Sequence, residues 1–134
     1  MKGAITYLNF DGQTREAMTF YQQCLGGELM IPEFPGAPCA PGFEGRTMYA
    51  ALMKGGVPFL AASDTPPGMP LHVGNHASVS VECESMEEIR RIFAALAEGG
   101  EVKMPLADMF WGAHWGFLKD RYGVQWMFNY TLSA

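Results

Sequence analysis

Gly26-Gly27-Glu28-Leu29 returns seventy-three positions later as Gly99-Gly100-Glu101-Val102, and Gly56-Val57-Pro58-Phe59-Leu60 returns as Gly123-Val124-Gln125-Trp126-Met127. Phe20 falls on Phe93 at the offset of the first match. Both matches keep their order, and the same kinds of element surround them, so the chain reads as an internal repeat.

Working outward from the first glycine pair, residues 14–25 place Ala17, Met18, Phe20, Tyr21, Cys24 and Leu25 at spacings of three and four, which is one buried stripe of a helix. Before it, residues 4–10 alternate as a strand, with Thr6, Leu8 and Phe10 on one side and Ile5, Tyr7 and Asn9 on the other. After it, residues 28–34 read as a short strand. Residues 35–42 read as a long loop, because the prolines remove donors and the glycines add freedom. Residues 47–53 and 57–63 form a hairpin candidate, and residues 64–70 (Asp-Thr-Pro-Pro-Gly-Met-Pro) look like a linker.

The second half repeats this order. Residues 75–83 alternate, with Ala77, Val79, Val81 and Cys83 apolar against His76, Ser78, Ser80 and Glu82. Ser85 and Glu88 have the spacing of a capping box, in which the serine hydroxyl takes the Glu88 amide and the carboxylate returns to the serine amide. A helix follows with Met86, Ile89, Ile92, Phe93 and Leu96 on one face, and Gly99-Gly100 stops it. Residues 101–104 read as the next strand. Two strand-like runs hinged on Asp120-Arg121-Tyr122-Gly123 complete the chain. The expectation is an α+β protein of two tandem βαβββ modules, about 1–66 and 71–134.

A hydrophobic share of 49% against 17% charged residues supports a packed globule. The net charge of −5, with scattered Lys and Arg, leaves no basic surface for nucleic acid. No apolar run is long enough to cross a bilayer, and no signal peptide is legible, so a cytoplasmic location and no membrane partner are expected. Cys24, Cys39 and Cys83 are odd in number and lack a Cys-x-x-Cys spacing, which reads as free thiols.

Asp11-Gly12 leading into Glu16-Ala17, Tyr21 and Leu25-Gly26-Gly27-Glu28, together with Phe110-Trp111-Gly112 and Asp120, Gly123, Trp126-Met127 and Asn129, resembles the PhnB-like branch of the vicinal oxygen chelate superfamily. That superfamily includes glyoxalase I, extradiol dioxygenases and the fosfomycin and bleomycin resistance proteins. The resemblance implies a curved, cup-shaped mixed sheet with the helices outside, often completed by a homodimer. Branch members are often labelled 3-demethylubiquinone methyltransferases, but no glycine-rich nucleotide loop follows the first strand here.

Metal-dependent relatives place a His, Gln or Glu ligand on the first and last strand of each module. His76 stands at one such position, whereas Met127, Leu60, and Ile5 or Tyr7 stand at the others. A thioether is a poor ligand for a hard divalent ion, and aliphatic chains are none. The expectation is therefore no metal and no cofactor. A cup lined by Tyr7, Asn9, His76, Ser78, Trp111, His114, Gln125, Met127 and Asn129 would take a small-molecule ligand, with Arg46 the only cation near its mouth. His114 and Trp115 have opposite parity, so only one of them reaches the cup, and Trp126 belongs to the core. Two other functions stay open. One is a metal-dependent isomerase, lyase or dioxygenase, and the other is a protein that sequesters a small molecule or antibiotic without chemistry.

Overall fold

The computed structural model describes residues 1–32 and 44–132. The expected loop at residues 35–42, the end of the preceding strand at Phe34, and Cys39 lie outside the described residues. The chain divides into two compact units, Met1–His72 and Val73–Ala134.

The first unit contains β1 (Thr6–Phe10), α1 (Thr14–Leu25), β2 (Glu28–Met30), β3 (Ala50–Lys54) and β4 (Val57–Asp64). The sheet order is β1-β4-β3-β2, with β1 and β4 parallel and the other pairs antiparallel. The second unit contains β5 (Val79–Glu82), α2 (Met86–Ala97), β6 (Glu101–Met109), β7 (Ala113–Lys119) and β8 (Gln125–Thr131), in the order β5-β8-β7-β6 with the same pairing senses. Each half is thus a βαβββ module with a four-stranded mixed sheet, and neither sheet closes on itself.

One face of each sheet carries a helix. In the first unit Phe10, Leu52, Leu60 and Ala62 are buried together with Ala17, Met18, Tyr21 and Cys24 of α1. In the second, Leu118, Trp126 and Phe128 are buried with Ile89, Ile92, Phe93 and Leu96 of α2, and Phe93 meets Phe128 edge to face at 5.2 Å between ring centroids. Each of the larger apolar side chains among them (Leu, Ile, Phe, Met) contributes roughly 1.5–3 kcal/mol relative to exposure, so these stripes hold helix to sheet far more firmly than local propensity would.

The repeated glycine pairs acquire a steric reason. Gly26, Gly27 and Gly99 have positive φ, but the second glycine of each pair also lies against backbone. A Cβ on Gly27 would sit 2.7 Å from the Met53 carbonyl oxygen, and one on Gly100 would collide with the Lys119 carbonyl. Helix exit and strand docking therefore both require a residue without a side chain at that point.

Several expectations are corrected. Asp64 is not in a linker: it ends β4, is buried, and accepts from the amides of Gly12, Thr14 and Thr47 and from the Thr14 hydroxyl. Helix α1 has no side-chain cap of its own at Gln13, so this distant carboxylate satisfies the amide of its first residue, Thr14. At α2 the Ser85 hydroxyl accepts from Glu88 N at 3.0 Å as expected, but the Glu88 carboxylate accepts from the amide of Glu84 rather than that of Ser85. Strand β5 starts at Val79 rather than residue 75, and β6 runs on to Met109 through two register shifts. Pro105 is tolerated within β6 because that strand is a sheet edge.

The repeat equivalence of Leu60 and Met127 also fails in space. A register shift between Leu52 and Met53 leaves Phe59 as an extra residue in β4, so Leu60 turns to the helix-bearing face. Ala61, in one row with Tyr7 and Ala51, takes the place that Met127 has between Ser80 and Phe117.

Candidate functional site

The face of the second sheet opposite α2 gathers aromatic and polar side chains. Alternation along β7 turns Ala113, Trp115, Phe117 and Lys119 to this open face, while His114, Gly116 and Leu118 turn to the helix. Gly116 has no side chain because its place is filled: a Cβ there would meet Leu106 and Phe93, each at 2.8 Å. Pairing then builds two rows across the open face, Ser80–Met127–Phe117–Met104 and Glu82–Asn129–Trp115–Ala107. Trp115 and Phe117 are half-buried and near-parallel, with ring centroids 6.4 Å apart and planes 25° apart. Trp111 meets Trp115 edge-on at 6.0 Å from the β6–β7 turn, and Phe110 stands against Trp111 at 5.0 Å.

The expected site residues are not all brought together. Met127, Asn129, Gln125 and Ser78 gather on the open face of the second sheet, with Trp111 at its end. Tyr7 and Asn9 lie on the exposed side of β1 in the first sheet, Tyr7 beside Tyr49 at 6.4 Å between ring centroids. His76 sits in an exposed bend before β5, outside the strand where it was expected. His114 faces the helix-bearing side, buried, with its Nδ1 2.7 Å from Asp108 Oδ1 on the neighbouring strand. Of the pair with opposite parity, Trp115 is therefore the one on the open face.

Most polar groups on that face are tied to the fold. Gln125 Nε2 donates to the Ala77 carbonyl at 3.0 Å and lies 3.4 Å from Ser78 Oγ, which holds the segment leading into β5. Asn129 Nδ2 donates to Glu82 Oε2 at 2.9 Å. Asp120 organises the β7–β8 turn: its Oδ1 accepts from the amides of Tyr122 and Val124, and its Oδ2 from the Trp126 indole at 2.8 Å. Arg121 donates from Nε and Nη2 to the Glu98 carbonyl at the end of α2. The spacing of Asp120, Gly123 and Trp126 is thus the signature of a turn locked to a core indole.

The sequence reading missed the cations of this sheet. A depression of about 490 Å³ on the open face, where β7 ends and β8 begins, is lined by Gly74, Asn75, Lys103, Phe117, Lys119 and Gln125. Arg46, expected as the only cation near a ligand, is ion-paired at 2.6 Å with Asp11 in the first unit, beside a depression of about 370 Å³ formed with residues 65–70. Cys24 and Cys83 are both buried. Burial, followed by the nearby Glu88 and Glu82 carboxylates, pushes the Cys83 thiol up to about 11, which leaves it protonated and unreactive near neutrality.

The family model of the glyoxalase/bleomycin resistance protein/dioxygenase superfamily matches residues 5–128. The chain belongs to that superfamily. It is 39% identical to the protein PA1353 of Pseudomonas aeruginosa, whose crystal structure superposes with a TM-score of 0.88 over 99% of this chain and 100% of the other. A PhnB protein from Bacillus cereus, named for a 3-demethylubiquinone-9 3-methyltransferase, is 30% identical with a TM-score of 0.79, covering 97% of this chain and all of that one. The YjdN protein of Escherichia coli K12 is 27% identical over 92% of this chain and 91% of its own length.

Metal-dependent members of the superfamily need ligands that these positions do not supply. His76 is outside β5, Met127 offers a thioether, Leu60 is buried beneath the first sheet, and its spatial counterpart is Ala61. Tyr7 lies in the row of Ala61, and Ser80 in the row of Met127. Among the described residues no three His, Cys, Asp or Glu side chains group as a metal site would need. The donor set does not fit the family's metal.

Proposed function

We propose that this protein binds a small, planar organic molecule on the open face of its second sheet. The observation that carries the reading is the near-parallel Trp115–Phe117 pair, half-buried beside Met127 on a sheet face that bears no helix. Aromatic faces next to an adaptable thioether favour flat, polarisable ligands, and a few placed polar groups orient them. Glu82 and the Asn129 amide, on the Trp115 row, supply those polar groups.

Affinity without chemistry, as in a sequestering protein, is supported by the same observations. Among the described residues, the one imidazole held by a carboxylate, His114, lies on the opposite face of β7 from Trp115. A methyltransferase reading gains nothing from the β1–α1 connection, Asp11-Gly12-Gln13, which has no glycine-rich phosphate cradle. The buried thiol of Cys83 suits a reducing cytoplasm. No helix among the described residues is long and apolar enough to cross a membrane. The exposed Ile5, Tyr7 and Phe59 of the first unit support a homodimer as the working state.

A thermal-shift screen of small aromatic acids, phenols and quinones tests the reading. A stabilising compound should raise Tm, since a ligand at a hundred times its Kd adds about 2.7 kcal/mol. Trp115→Ala should abolish the shift, whereas Tyr7→Phe in the first unit should leave it. A shift that survives Trp115→Ala and is lost on Tyr7→Phe contradicts the assignment.

A further inference from the structure

We infer that the ligand of the second sheet is an anion, specifically a planar aromatic carboxylate, whose acid group docks between Lys103 and Lys119 while its ring lies against Phe117. The inference rests on the proposed binding face and adds the charge of its occupant. Three observations converge on it.

First, the two lysines reach one depression through an irregularity in the sheet. Val102 pairs with Leu118 and Met104 with Phe117, so Lys103 is an extra residue on β6 with no partner on β7. A bulge of this kind re-aims a side chain. Here it brings Lys103 to the depression that Lys119 lines from β7, although β7 has no matching extra residue.

Second, the charge there is only partly compensated. Lys103 Nζ is 3.1 Å from Glu101 Oε2, an exposed pair whose partner water or a ligand readily replaces. Lys119, half-buried, makes no ion pair among the described residues, although its cross-strand neighbours are Glu101 and Gln125. A half-buried ammonium without a carboxylate is a better anion partner than a fully solvated one, because less water screens it.

Third, the rest of the lining matches a flat acid. Phe117 forms an apolar wall, continuous with Trp115 through their stacked rings. Asn75 adds a neutral hydrogen-bonding group beside the lysines. The depression of about 490 Å³ falls in the ordinary range for a small-molecule site, roughly 300–1,000 Å³.

The test is isothermal titration of the full chain at low salt with benzoate, 2-naphthoate and indole-3-acetate, each beside its neutral amide. At least one acid should bind about fivefold or more tighter than its amide, and raised ionic strength should erase the difference. Lys103→Gln and Lys119→Gln should each weaken the acid several-fold, leave the amide unchanged, and together remove the preference. Retained amide binding reports that these variants are folded, and Lys54→Gln in the first unit serves as the charge control. Acids and amides binding alike, with no effect of either lysine, would overturn the anion site yet leave the aromatic face standing. Absence of binding by every compound would overturn both.

Discussion

Single residues account for the motifs that first drew attention. Asp120 is spent on two turn amides and the Trp126 indole, and Asp64 on three amides and a hydroxyl, so both carboxylates are structural. Nothing local marks Asp64, because its partners lie 17 to 52 positions away. Cys83 gives the clearest pH dependence. Its thiol is pushed up from 9.0 to about 11, first by burial and then by Glu88 and Glu82, so the folded state holds the proton more tightly than the unfolded chain does. The stability due to this group is therefore complete below pH 9.0 and is lost as pH rises through about 11. Denaturant unfolding should show a decline over that interval that Cys83→Ala flattens, and native-state alkylation of Cys83 should remain slow at pH 8. Rapid alkylation at pH 8 with no alkaline decline would contradict this placement.

At the scale of elements, periodicity was a good guide wherever one face is buried. Helix α1 falls on residues 14–25 as the stripe predicts, and the parity of β8 correctly separates Trp126 and Phe128 from Met127 and Asn129. It failed where the sheet is irregular. Extra residues in β4 and β6 shift the facing of Leu60 and re-aim Lys103, and no alternation pattern announces a bulge in advance. The early strand at residue 75 fails for a related reason. The Gln125 amide holds Ala77 and Ser78 from β8, and regular pairing begins only at Val79. Gly116 tests the packing of the second sheet. Gly116→Ala would push a methyl into Leu106 and Phe93 and should cost about 1–3 kcal/mol. In a thermal melt that is a fall in Tm of roughly 4 °C or more, whereas Gly74→Ala, with open space around it, should stay within about 0.5 kcal/mol of the parent.

For the whole molecule, the duplicated βαβββ architecture was legible because the glycine pairs recur at sites where a Cβ would strike the backbone of a neighbouring strand. The proposed binding face was only half legible. Met127, Asn129 and Gln125 follow from strand parity, but the stacking of Trp115 on Phe117 and the meeting of Lys103 with Lys119 depend on pairing between strands that sequence alone does not register. The central claim is that the open face of the second sheet is the ligand site, and methyl NMR of methionine-labelled protein tests it most directly. With a compound from the aromatic screen added, the Met127 and Met104 resonances should shift progressively with concentration, while Met18, in the core beneath the first sheet, stays fixed. Shifts confined to Met30 or Met53 of the first sheet, with Met127 and Met104 unmoved, would contradict it.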